Sequence, residues 1–242
     1  MALNEKFTQL SLERNGNIFI VTLRQGPENK LNAPFCQEII RAFHSIQREL
    51  GTAEGAVITR GSNEKFWCTG LDLEDPNAWA NSDGFFPLLH TILDFPYPTI
   101  ALVTGHTFGG GCPLALAHDY RIMNSHRGYI CMPPVDLGLH FPGIGTLPRL
   151  KLGPKIARKM LLEAHKWTGK AALEDGVVDA IAGPSMDEML AEAMKWAEKW
   201  KAKSKMGVYG ILRNELWGEA GKSFRELSYV HSRDTSVSKA KL

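Results

Sequence analysis

Apolar and polar positions along the chain define a succession of short elements. Residues 8–13 and 17–23 carry strand-type residues on either side of Asn15-Gly16, a strong hairpin turn signal. Gly26-Pro27-Glu28-Asn29 breaks that pattern. Leu31-Asn32-Ala33-Pro34 then opens a helix, with Asn32 as N-cap and Pro34 in the first turn. Phe35, Ile39, Ile40, Phe43 and Ile46 recur at helical spacing, so this helix packs on a core. Residues 55–59 form a short apolar strand, and strand, helix and strand in that order predict a right-handed crossover. Residues 75–96 read as irregular, interrupted by Pro87, and fit a flexible lid or lining in which His90 is surface or lining. Residues 99–103 form a fully buried strand, and 114–117 are too apolar for a surface helix. Strand-like segments follow at 119–123 and 128–132, then a long turn-rich loop over 133–145 shaped by its prolines and glycines. Residues 153–164 read as a helix and 170–181 as helix, turn and strand; from Ser185 the chain is almost wholly helical. There Trp196, Trp200, Tyr209, Leu212, Leu216 and Trp217 form apolar stripes, which are core or subunit contacts by their spacing. The class is α/β.

Two loops stand out chemically. Gly109-Gly110-Gly111 sits between the buried strand and the small-residue helix, where three glycines carry an entropic penalty that needs a reason. One reason is close approach of a ligand to bare N–H donors at a helix start, aimed at developing negative charge. The other is tight helix–strand packing. The second loop, residues 66–73, follows a strand, where open α/β sheets place ligands. Gly70 permits a sharp turn that lets the N–H of Leu71 face a bound group. Asp72 beside that turn reads as a backbone cap ahead of a catalytic acid. Gly143-Ile144-Gly145 is not a dinucleotide fingerprint, because Pro148 stands at the third glycine, and the chain has neither GxSxG nor a P-loop.

Composition narrows the function classes. The 242 residues are 44% hydrophobic and 22% charged, an ordinary globular balance with room for a large core. The net charge of +2 gives no reason to expect nucleic acid, and the dense lysines of residues 195–205 read as a solvated helix face. Cys36, Cys68, Cys112 and Cys131 lack CxxC spacing, so neither disulfides nor a metal site is expected. No apolar run approaches the ~20 residues of a membrane span, and the N-terminus has no signal-type apolar stretch. The tail Ala240-Lys241-Leu242 differs from the peroxisomal SKL signal by one residue, so the expected location is the peroxisome, or the cytoplasm if the tail is not read.

Taken in order, Asn29-Lys30-Leu31-Asn32, the F-x-x-x-G-x-D-L of residues 66–73, the G-x-x-x-G-G-G-C of 105–112, Asp136-Leu137-Gly138-Leu139 and the A-x-x-x-G-V-V of 172–178 resemble the crotonase, or enoyl-CoA hydratase/isomerase, superfamily. The resemblance covers nearly the whole chain, and VYGILRNEL at 208–216 looks most like the plant Δ3,Δ2-enoyl-CoA isomerase branch. It implies a crotonase fold of stacked ββα units over residues 1–184 and a helical trimerisation region over 185–242, giving a homotrimer or hexamer. It also implies an acyl-CoA thioester as substrate, with no separate cofactor. The thioester oxygen would lie between the N–H groups of Leu71 and Gly110, beside Gly109 and Gly111. Cys68, Thr69, Gly70, Leu71 and Leu73 would run along the CoA, with Asn29, Lys30 and Leu31 as another wall. Two such donors suit an isomerase, which removes a proton α to the thioester and returns it at the γ carbon through a dienolate.

The sequence departs from that family at its acid–base positions. Pro113 and Pro134 occupy the two hydratase glutamate positions, and Pro142 aligns with the isomerase carboxylate; none can exchange a proton. Asp136 and His140 are the replacement candidates, the latter because imidazole works near neutral pH. Glu74, Asp75 and His106 are fainter ones. The leading expectation is an isomerase moving a 3-enoyl-CoA double bond to the 2-position. Hydration, thioester hydrolysis, decarboxylation and a non-catalytic acyl-CoA-binding subunit remain as alternatives.

Overall fold

The structure is a computed structural model that describes residues 6–75 and 83–239. Its organising unit is a turn of three pieces: a strand in a large sheet, a strand in a small sheet, and a helix leading back. β3 (Ala56–Gly61), β4 (Phe66–Cys68) and α2 (Phe85–Asp94) form one turn; β5 (Thr99–Val103), β6 (His106–Phe108) and α3 (Gly111–Ala117) form the next. β7 (Tyr120–Asn124) and β8 (Ile130–Cys131) start a third, which continues through four short helices to β9 (Ala180–Ala182). Those helices are α4 (Pro134–Leu137), α5 (Thr146–Lys151), α6 (Pro154–Leu162) and α7 (Gly169–Glu174).

The hairpin of β1 (Leu10–Asn15) and β2 (Ile18–Leu23) closes one edge of the large sheet, pairing antiparallel from Leu10↔Leu23 to Asn15↔Ile18. All other pairings among the strands are parallel, giving a six-stranded order β1-β2-β3-β5-β7-β9 and a three-stranded order β4-β6-β8. α1 (Ala33–Leu50) crosses between the paralleled β2 and β3. Its start is fixed by Asn32, whose side chain accepts the Phe35 N–H at 3.0 Å.

Parallel strands covered on both faces read as near-continuous apolar runs, and β2 and β5 are buried throughout. Ile18, Ile20, Ile58, Ile100, Leu102 and Ile122 meet α8 (Met186–Lys201) through Met189, Ala193 and Ala197. The opposite side chains, among them Phe19, Val21, Val57, Ala101 and Val103, join the main core with α1, α2 and α3. α8 starts in a capping box between Ser185 and Glu188. After a single 3-10 turn, α9 (Val208–Lys239) packs along α2, burying Arg213, Ala220 and Phe224, while Ile211, Leu212 and Leu216 stay exposed.

Several elements differ from the sequence reading. β4 and β6 lie where loops are expected: three residues carry too little periodicity, and their pairing, Phe66↔His106, is a tertiary event. The segment read as an irregular lid contains α2, whose Phe85, Phe86, Leu88, Leu89, Ile92 and Leu93 are core. Pro87 lies in its first turn, where no intrahelical N–H is required, so it does not break the helix. α4 and α5 occupy stretches assigned to the loop over 133–145 and the link after it.

Candidate active site

The site forms where the two sheets' connections converge. After β4 the chain pairs briefly with the segment before α1: Leu31 N–H donates to Gly70 O at 2.7 Å and Asp72 N–H to Leu31 O at 2.9 Å. In such a ladder successive N–H groups point to opposite sides, so the N–H of Leu71 faces away from Leu31. Gly70 makes this path possible. Its φ is +95°, and a side-chain carbon there would stand 2.8 Å from both Gly110 N and Phe108 O.

The other loop comes from β6. Gly109 N–H donates to Cys131 O at 3.1 Å, and Gly110 then caps α3 in a helical conformation. Neither Leu71 N–H nor Gly110 N–H is taken by a partner among the described residues, and the two are neighbours. A methyl carbon built on Gly110 would lie 3.4 Å from Leu71 N. Gly111 serves packing, since a side chain there would strike Cys68 O at 2.5 Å, whereas Gly110 keeps the space before Leu71 N–H open. α3 has only seven residues, so the donors themselves, more than a helix dipole, define the polar end.

Both loops border a cavity of about 80 Å³ whose walls include Thr69, Leu71, Gly109, Gly110, Pro134 and Phe141. Leu73 and Phe108 also contribute. Among the described residues Thr69 brings the only side-chain hydroxyl on that wall, and it is occupied with Glu28 O at 3.4 Å. Preorganised donors at one end of an otherwise apolar pocket suit an oxygen that gains negative charge.

The remaining candidates are dispersed. Asn29 is buried and structural: its amide donates to Trp67 O at 2.9 Å and its side-chain oxygen accepts Gln25 N–H at 2.9 Å. Leu31 and Cys68 are buried, and burial pushes the Cys68 thiol up to about 12, which removes it as a nucleophile. Lys30 is half-buried beside Glu28 and Glu74, at 3.8 and 3.6 Å. Asp72 caps its own turn, accepting Glu74 N–H at 3.3 Å. Asp136 and His140 are exposed and do not line the cavity, although Leu137, Leu139 and Phe141 between and beside them do. His106 lies among Phe66, Phe108 and Tyr129, and Pro113 is buried in the first turn of α3. All four cysteines are free and buried. No cluster of His, Cys, Asp or Glu among the described residues could hold a metal ion. The alternation Leu137-x-Leu139-x-Phe141 is the signal that identifies this wall; Phe85, which reaches Gly110 from α2, has no comparable one.

The sequence profile of the enoyl-CoA hydratase/isomerase family matches residues 13–216. The chain belongs to that family. It is 32% identical over 227 residues to enoyl-CoA delta isomerase 2, peroxisomal, of Arabidopsis thaliana, covering 86% of this chain and 92% of the relative. A carnitinyl-CoA dehydratase of Salmonella arizonae is 33% identical over 210 residues, covering 84% and 78%. Among solved structures, an enoyl-CoA hydratase from Mycobacterium marinum superposes with a TM-score of 0.82 at 21% identity, over 93% of this chain and 99% of that one. The alternating large-sheet and small-sheet strands are thus the crotonase fold of this enzyme family. Among the described residues no helix is long and apolar enough to cross a membrane.

Proposed function

We propose that this chain is an enoyl-CoA isomerase that moves a double bond from the 3- to the 2-position of an acyl-CoA thioester. The observation that carries this reading is the pair of unpartnered N–H groups, Leu71 and Gly110, at the polar end of one apolar cavity. Removing the α proton places charge on the thioester oxygen, and the two donors stabilise it at the roughly 2.7–3.1 Å such sites use. Returning the proton at the γ carbon completes the shift with no external cofactor, the CoA entering as part of the substrate. Asp136 and His140 are carried by the segment 134–141 with their side chains outside the cavity lining, and the reading assigns proton transfer to them. Apo geometry alone does not rule out a catalytic base, so this reading has one of these two side chains rotate toward the thioester when substrate binds, the backbone of the wall staying in place. The peroxisomal name of the Arabidopsis relative supports a peroxisomal site of action; the tail Ala240-Lys241-Leu242 lies outside the described residues. Exposed Ile211, Leu212 and Leu216 on α9 support assembly into a trimer or hexamer.

A second reading has its own observation: no carboxylate or imidazole borders the cavity among the described residues, and prolines hold positions 113, 134 and 142. That arrangement favours binding, or an oxyanion-stabilised reaction such as decarboxylation that requires no protein base. Incubation with paired 3-enoyl- and 2-enoyl-CoA in D2O separates the two. Product formation or α-deuterium incorporation establishes the isomerase, whereas tight binding without exchange establishes the second reading.

A further inference from the structure

At its apolar end the cavity meets Phe141, which a stack of rings backs. Phe141 stands edge-on to Phe85 at 6.0 Å between centroids and an 82° interplanar angle. Phe85 lies against Phe86 at 6.0 Å, and Phe86 stacks on Phe224 of α9 at 6.0 Å. All four are buried, Phe141 at 6% exposure. Phe85 also approaches the donor loop, its ring tip 3.3 Å from where a side-chain carbon on Gly110 would sit. The loop behind Phe141 cannot retreat. Gly143 is packed so closely that a methyl carbon there would lie 2.6 Å from Leu227 Cδ1 and 3.3 Å from Phe224 Cε1.

From this we propose that the cavity admits only a short acyl chain and that Phe141 sets the limit; the proposal rests on the acyl-CoA reading above. An apolar cavity of about 150 Å³ holds a benzene ring. The roughly 80 Å³ beside Leu71 and Gly110 therefore accommodates about half as many carbons beyond the thioester. With the thioester carbon this corresponds to an acyl group of about four carbons. A longer chain meets Phe141 backed by Phe85, and overpacking a braced wall is unfavourable. Of the rings in the stack, Phe141 is the one carried on a loop, so truncating it opens the cavity without removing a helix's core anchor.

Isothermal titration of the full chain with butanoyl-, hexanoyl- and decanoyl-CoA, below their micelle concentrations, tests this with unreactive ligands. In an open apolar pocket each added CH2 tightens binding by about fourfold. Here decanoyl-CoA is expected to bind at least about tenfold more weakly than butanoyl-CoA. Phe141→Ala, checked for folding by its thermal melt, should remove that preference. Phe141→Leu serves as a milder truncation if the alanine variant does not fold, and should narrow it. Decanoyl-CoA binding as tightly as butanoyl-CoA to the wild type, or an unchanged preference in a folded variant, overturns the assignment of Phe141. Failure of all three esters to bind overturns the acyl-CoA reading itself.

Discussion

Arg213 of α9 and Asp119, just before β7, form a buried ion pair across 94 positions of sequence, with Arg213 Nε donating to Asp119 Oδ1 at 2.7 Å. The guanidinium also donates to Phe95 O and, at 2.7 Å, to Tyr97 O, so one side chain ties the last helix to the α2–β5 connection. Asp119 is satisfied on its other side by Thr99, whose N–H and hydroxyl donate at 2.8 and 3.1 Å. Removing one member leaves a buried, unpaired charge. Arg213→Ala should therefore destabilise the chain by about 3–5 kcal/mol in urea unfolding. Arg213→Lys should recover less than half of that, because an ammonium cannot reproduce the planar fork. Full recovery by lysine would show that charge alone matters here.

The two glycines of the candidate site should respond differently to alanine. Gly110 is in a helical conformation, so Gly110→Ala requires only small adjustments by Phe85 and Leu71 while filling the space before Leu71 N–H. Stability should change by less than about 1 kcal/mol, with turnover falling about 10²–10³-fold as a donor is blocked. Gly70→Ala combines a positive φ with backbone collisions and should lower stability strongly. Parallel melts and assays separate the two; equal losses of stability would mean that Gly110 is packing alone.

Most of the large sheet was legible because buried parallel strands announce themselves by composition and α1 by its Asn32 cap. The two donor loops were legible too, since Gly70 and the triplet are costly anywhere else. What escaped the sequence depends on distant partners. β4 and β6 exist through each other, and the ring wall gathers Phe85, Phe141 and Phe224 from three separate elements. His140 is exposed between Leu139 and Phe141, which line the cavity, a placement that a single histidine in a turn-rich stretch does not announce.

Proton transfer from the wall at 134–141 has a direct test. Under the proposed reading, the double variant Asp136→Asn/His140→Ala loses α-proton exchange by at least about 10²-fold, while its affinity for butanoyl-CoA stays within about threefold of the wild type. Mass spectrometry of the ester recovered from D2O gives the exchange rate, and titration calorimetry the affinity. Wild-type exchange in the double variant would remove both residues from the chemistry.

His118 gives the fold a specific sensitivity to acid. It is fully buried between Leu114 O, 2.9 Å from Nδ1, and Thr59 Oγ1, 2.9 Å from Nε2. Burial lowers its pKa to about 4, Asp119 opposing and Lys151 and Arg121 reinforcing the shift. The folded state thus binds its proton less readily than the unfolded chain, where an imidazole titrates near 6.5. The resulting stability is complete above about pH 6.5 and is lost as pH falls toward 4, at roughly 1.4 kcal/mol per pH unit and about 3 kcal/mol in all. Carboxylates titrate over part of the same range, so the measurement is a difference. Urea unfolding of the wild type and of His118→Gln, at steps from pH 7.5 to 4, should show the wild type losing about 3 kcal/mol more than the variant, which has nothing to protonate there. Parallel curves would mean that the ring binds its proton equally well folded and unfolded, which would require the Thr59 hydroxyl to accept from the protonated ring in place.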